Sequence, residues 1–199
     1  MMASLNDLVE ASRLRFANNT AAHVMTVALD QDVYRELQFR APNRSMYWFN
    51  VTTVPGSLTF QGDVGTFVFT RTRDMFEFFG EGPRINPYYW AEKVTAGTPE
   101  WYAPDRIKQE LNERFTELVV TGRIDDEDVA TYRADLDDLL DGLPGDSIGA
   151  DLAWVDTALP TPLQDLQYDL WDGSYTEPTS HFLWACHAIV HTVHAYRHR

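Results

Sequence analysis

The sequence predicts an α+β protein: an antiparallel β-meander of about five strands packed by helices, with a helical hairpin in the C-terminal half. Three observations lead there. Apolar residues alternate with period two between residues 22 and 71, and near Thr72 the period changes to 3.6. The links between alternating segments are tight Pro, Gly and Asp turns, which join antiparallel neighbours but are too short for a parallel crossover.

Ser4 is placed to cap a first helix whose Leu5, Leu8, Val9, Ser12 and Phe16 share one face. The polar run Asn18-Asn19-Thr20 is expected to end it. His23 to Leu29 reads as a strand rich in β-branched residues, Asp30-Gln31-Asp32 as a turn, and Tyr34 to Arg40 as a half-buried strand. Ser45 to Val54 is aromatic and β-branched. It runs into Val54-Pro55-Gly56-Ser57, where Pro presets φ and Gly supplies the positive φ of a type II turn. Leu58 to Gln61 and Gly65 to Arg71 complete the meander around a Gly62-Asp63 turn. Thr72 to Phe79 then becomes helical and stops at Gly80.

The second half reads as helical. Pro104 and Asp105 open a helix with Ile107, Leu111, Phe115, Leu118 and Val119 on one side and Gly122 as its stop. Asp125 is expected to cap the next, which carries Val129, Tyr132, Leu136, Leu139, Leu140 and Leu143 in an apolar stripe ended by Pro144-Gly145. Thr179-Ser180 caps a last helix running to about His198. The expected organisation is one domain over 1–199: a sheet-rich part at 22–94, an acidic helical part at 95–160, and a C-terminal segment at 161–199 whose helix packs back on the sheet.

Several classes are excluded by composition. No run of 18 apolar residues is present, and the N-terminus lacks the basic and apolar regions of a signal peptide, so a cytoplasmic protein without a membrane partner is expected. Cys186 is the single cysteine, which rules out an intramolecular disulfide and a multi-cysteine zinc site. The formal net charge is −14, and it is unevenly spread. Residues 1–94 hold nine Lys/Arg against ten Asp/Glu; residues 95–199 hold seven against twenty. Such a field repels nucleic acid and favours a basic partner. Strand parity agrees. If Leu37, Phe39, Leu58, Phe60, Phe67 and Phe69 face the helices, the other sheet face is polar and offers Trp48 in place of the two or three stacking aromatics that an RNA-reading sheet needs.

Candidate chemistry is sparse. His187, His191, His194 and His198 fall within about 60° of one another on a helix. Phe182, Cys186, Ile189, Val193 and Tyr196 lie opposite, so the histidines are expected to face solvent and no metal is expected. Asp63, in a Gly-Asp turn, is expected to stabilise that turn. Cys186 is expected to be packed, not reactive. The aromatic block Tyr88-Tyr89-Trp90 fits either packing or a binding patch. There is no phosphate loop, dinucleotide fingerprint, nucleophile elbow or metalloprotease helix, so no catalytic residue and no cofactor is assigned.

The blocks at residues 34–40, 53–56, 62–69, 74–79, 85–93 and 181–186 resemble an uncharacterised family of bacteriophage, prophage and plasmid-borne accessory proteins. The resemblance covers less than half of the chain and implies a mobile-element accessory protein.

Two functions are therefore expected as alternatives. The first is an accessory protein that binds and modulates a host protein with a basic surface, in the manner of an anti-defence factor, through Asp128, Asp135, Asp138 and Asp141. The alternative is a binder of a small anionic ligand or nucleotide that uses Arg35, Arg40, Arg44, Trp48 and Asp63. A concave basic pocket would favour the ligand; a convex acidic ridge, the partner.

Overall fold

Six strands make the sheet. The computed structural model describes residues 4–80, 82, 84–142 and 176–199. It sets β1 (Val24–Gln31), β2 (Tyr34–Ala41), β3 (Arg44–Val54), β4 (Ser57–Gly62), β5 (Gly65–Thr70) and β6 (Val94–Ala96) side by side, every neighbour antiparallel. A periodicity reading misses β6 because three residues are too few to show a period. It is defined by its pairing alone, Val68 with Ala96 and Phe69 with Val94.

The turns follow from local chemistry. Gly56 has φ 83°, as a type II turn requires after Pro55. β1 continues to Gln31, two residues beyond the expected Leu29, so the first turn falls at Asp32-Val33, with Asp32 left-handed at φ 55°. Aspartate tolerates that conformation better than most residues.

Helix α1 (Leu5–Thr20) begins with a reciprocal capping box: Ser4 Oγ accepts from the Asp7 amide, and the Asp7 carboxylate accepts from the Ser4 amide. The expected break at Asn18 does not occur. Asparagine costs a helix only a few tenths of a kcal/mol. The turn is held from both sides, by buried Phe16 and by the Thr20 hydroxyl donating to the Phe16 carbonyl.

The two sheet faces divide by strand parity. Leu37, Phe39, Leu58, Phe60, Phe67 and Phe69 are all buried, whereas Glu36, Gln38, Arg40, Thr59 and Gln61 lie on the opposite, partly open face. The buried face is covered by α1 and by α6 (Ser180–Arg197), which starts at Thr179, whose hydroxyl accepts from the Phe182 amide. Trp184 is the centre of this layer. Its ring lies 5.0 Å from Phe16, 5.6 Å from Phe49 and 6.2 Å from Phe60, so one side chain joins α1, β3, β4 and α6.

A second cluster fixes the short helix α2 (Met75–Phe79). Asp74 caps it by accepting from the Phe76 amide and binds Arg35 of β2 through two 2.9 Å hydrogen bonds. The Arg35 guanidinium also stacks over Phe76 and Tyr196. At the other end of α2, Arg197 donates to the carbonyls of Phe76 and Gly80. A β-carbon at Gly80 would lie 2.5 Å from that guanidinium, so the glycine is what lets the arginine approach. Helix α3 (Pro87–Ala91) carries the aromatic block. Trp90 packs edge-on against Phe79 at 4.7 Å, and Tyr89 and Trp101 keep much of their surface exposed.

The chain divides into two compact units, Met1–Trp101 with Pro178–Arg199, and Tyr102–Glu177. The second contains the expected hairpin helices, α4 (Pro104–Val120) and α5 (Val129–Asp141). Its core is separate: Ile107, Leu111, Phe115 and Leu118 meet Ile124, Leu136 and Leu140. The residue preceding α5 is Asp128, not Asp125, and its side chain makes no capping bond. Leu143 and the Pro144-Gly145 stop lie outside the described residues. A ribbon of β7 (Glu100–Tyr102) and β8 (Thr176–Pro178) completes the architecture. Among the described residues no helix is long and apolar enough to cross a membrane.

Two tests follow from the packing. Trp184→Ala is expected to cost about 3–5 kcal/mol, the range for removing a buried aromatic ring, measured by urea unfolding of the whole chain. Hydrogen bonding to Arg35 holds the Asp74 carboxyl below its ordinary value of 3.8. A carboxylate with a lowered native pKa stabilises the fold above the unfolded pKa and loses that contribution as pH falls through the native value. Asp74→Asn keeps the cap and removes the ion pair; it is expected to destabilise at pH 7, with the difference from the wild type shrinking as pH falls through the lowered native pKa, read from denaturant midpoints.

Candidate functional site

The five residues of the predicted ligand site do not converge. Arg35 is 8% exposed and turned toward the helices, where Asp74 neutralises it. Arg40, in the same strand, lies on the open face with its guanidinium 4.7 Å from the Trp48 ring centre. Arg44 is exposed at the start of β3. Asp63 serves the backbone. Its carboxylate accepts from the amide of Tyr47, which is left-handed at φ 60°, and its own amide donates to the Trp48 carbonyl. Arg35 and Arg40 project from opposite faces of one sheet, so no single pocket takes both.

The acidic residues are arranged differently. Of the four residues expected to bind the partner, Asp128, Asp138 and Asp141 are exposed, while Asp135 is half-buried. Arg133, the cation within α5, is drawn to its own unit. It pairs with Asp137, donates to Asn112 Oδ1 at 2.6 Å and stacks over Phe115. The charge of the chain follows the structural division. By sequence, residues 102–177 hold five Lys/Arg against nineteen Asp/Glu, a net of −14, and the remaining residues hold eleven of each.

The histidine stripe needs correction at its first member. His187 is 8% exposed, because α1 packs against α6 on that side, and its Nε2 donates to the Val9 carbonyl at 3.1 Å. Burial pushes its pKa down. His191 exposes one edge while its ring contacts Phe16 and Phe39 at 5.5 and 5.4 Å; desolvation, with smaller contributions from His194 and His23, lowers its pKa also. His194 and His198 are exposed as expected, their rings 4.4 Å apart. Among the described residues no three His, Cys, Asp or Glu side chains converge as a metal-binding set. Cys186 is fully buried, which drives its thiol pKa up and keeps it unreactive.

Beside this stripe lies a groove of about 540 Å³, formed where α1 and α6 meet the end of α2. Phe16, Phe79 and Val193, all core residues, supply its apolar floor, and Arg13, His194, Arg197 and His198 contribute nitrogen groups at its margin. Sequence reasoning does not assemble it. Arg13 and His194 are 181 positions apart, and nothing local in either segment announces the other.

No family model, no curated protein and no solved structure matches the chain.

The buried imidazole gives a signed pH prediction. A histidine whose native pKa is lowered stays neutral in the fold while the unfolded chain takes up a proton below its pKa of about 6.5. The fold therefore loses stability as pH falls from about 7 toward 5. His187→Gln retains a donor for the Val9 carbonyl but does not titrate. Its stability is expected to vary less than that of the wild type over this range, as read by denaturant midpoints at about pH 7, 6 and 5.

Proposed function

We propose that this is a binding protein whose acidic helical unit docks on a basic surface of a partner protein. The observation that carries this reading is the segregation of charge: a neutral sheet-containing unit, and a unit of 76 residues with nineteen carboxylates and five cations. Within α5, Asp138 and Asp141 point away from Leu136 and Leu140, and Asp128, which precedes the helix, is exposed. Carboxylates held on a rigid helix match a row of Lys and Arg without ordering a flexible chain at the moment of binding. The resemblance to mobile-element accessory proteins supports a host partner. A protein that itself binds nucleic acid would present the basic surface such a helix fits, each carboxylate standing where a phosphate would.

Association driven by this field is fast and steeply salt-dependent. The test is affinity capture from host lysate with the wild type and with a triple variant, Asp128→Lys, Asp138→Lys and Asp141→Lys, whose positions are exposed so that the fold is retained. A partner held by the wild type at about 50 mM salt, released as the Debye length shortens at about 0.5 M salt, and absent from the variant is expected. Equal capture by both proteins at low salt would sink the proposal.

A further inference from the structure

The groove between α1 and α6 has a composition that the proposed docking surface does not use. Its floor is built from side chains that belong to the core: Phe16, Phe79 and Val193 are all at least nine-tenths buried and still reach the groove. Its margin is rich in nitrogen. Arg13 and His194 stand on facing helices, Arg197 and His198 follow at the end of α6, and among the described residues no carboxylate lines the groove. Its volume of about 540 Å³ lies within the roughly 300–1,000 Å³ of sites that enclose small organic molecules. A bare inorganic anion would leave that floor wet.

We propose that this groove binds a small monocarboxylate with an apolar body, its tail on Phe16, Phe79 and Val193 and its carboxylate among Arg13, His194 and His198. The division of labour is physical. Apolar area removed from water supplies affinity without direction, whereas guanidinium and imidazole N–H groups accept only a partner with lone pairs to offer. Arg13 is ion-paired with Glu10 through Nε and Nη2, at 2.8 and 2.7 Å, which orients the guanidinium; unlike the buried Arg35–Asp74 pair, both side chains are half-exposed, so water screens the pairing. The rings of His194 and His198, tilted 47° to one another at 4.4 Å, are brought together by their i, i+4 spacing at the end of α6. Arg197 is occupied by the carbonyls that it caps, so its part is to add positive charge to the margin without leaving α2.

The test uses the intact chain and three probes of equal tail length: octanoate, octylammonium and octanol. Binding is followed by calorimetry and by the histidine ring signals in a ¹H–¹³C spectrum. Octanoate is expected to saturate one site, to shift the His191 and His194 ring signals, and to bind about tenfold or more tighter than either control, the ratio one charge-assisted hydrogen bond provides. The exposed double variant His194→Ala/His198→Ala is expected to lose most of that preference while retaining the wild-type unfolding midpoint. Octylammonium or octanol binding as tightly as octanoate would overturn the assignment, because the margin would then select nothing. Inorganic phosphate binding as tightly as octanoate would overturn it too, because the apolar floor would then be idle. No saturable octanoate binding at millimolar concentration would dispose of the site altogether.

Discussion

The return of the last helix to the sheet is the constraint on which the rest of the larger unit depends. The meander can form from local hairpins, but its aromatic face cannot remain in water. Phe39, Phe49, Phe60, Phe67 and Phe69 are all buried, and each has a ring contact with His191, Trp184 or Phe182 of a helix more than 100 residues further along the chain. Closing so long a loop carries an entropic cost that grows only with the logarithm of its length. The Trp184 contacts with Phe16, Phe49 and Phe60 offset it, since buried aromatic rings dominate the energetics of cores of this kind. Two consequences follow. Helix α1 is trapped against α6, which buries His187, and the two helices together with the end of α2 leave the groove between them.

Charge is handled in two separate ways. In the sheet-containing unit the arginines are largely internal devices: Arg35 binds Asp74, Arg40 stacks on Trp48, and Arg197 caps α2. Each is satisfied within that unit, which by sequence is neutral overall. The helical unit works the other way. Its core of Ile107, Leu111, Phe115, Leu136 and Leu140 is small, and Asp128, Asp138 and Asp141 face solvent. Mutual repulsion among such carboxylates costs stability, and a basic partner would relieve that cost. The internal pairing of the sheet arginines also explains why an arginine-rich sheet does not by itself make an anion site.

What can be read from the sequence is what is periodic or chemically local. The alternation of Leu37 and Phe39, the Pro55-Gly56 turn, the stop at Gly80 and the Thr179 cap each depend on neighbours within a few residues, and each is found in the structure. β6 escapes such a reading because it is a strand only by virtue of lying beside β5. The burial of His187 escapes it because a helical wheel gives angles and not what packs against them; α1 supplies the missing wall from the other end of the chain. The sheet arginines look like a cluster because they are close in sequence. Period two sends Arg35 and Arg40 to opposite faces, and that fact is available from parity alone. The groove is not legible at all, since its two helices meet only through tertiary packing.

The proposed docking role of the acidic unit is tested most directly by hydrogen exchange of the full chain, free and in the presence of a partner captured from lysate. Backbone amides across α4 and α5, above all residues 125–141, are expected to slow on binding, while β2 to β5 exchange at the same rate in both states. Protection confined to the sheet, with α5 unchanged, would contradict it.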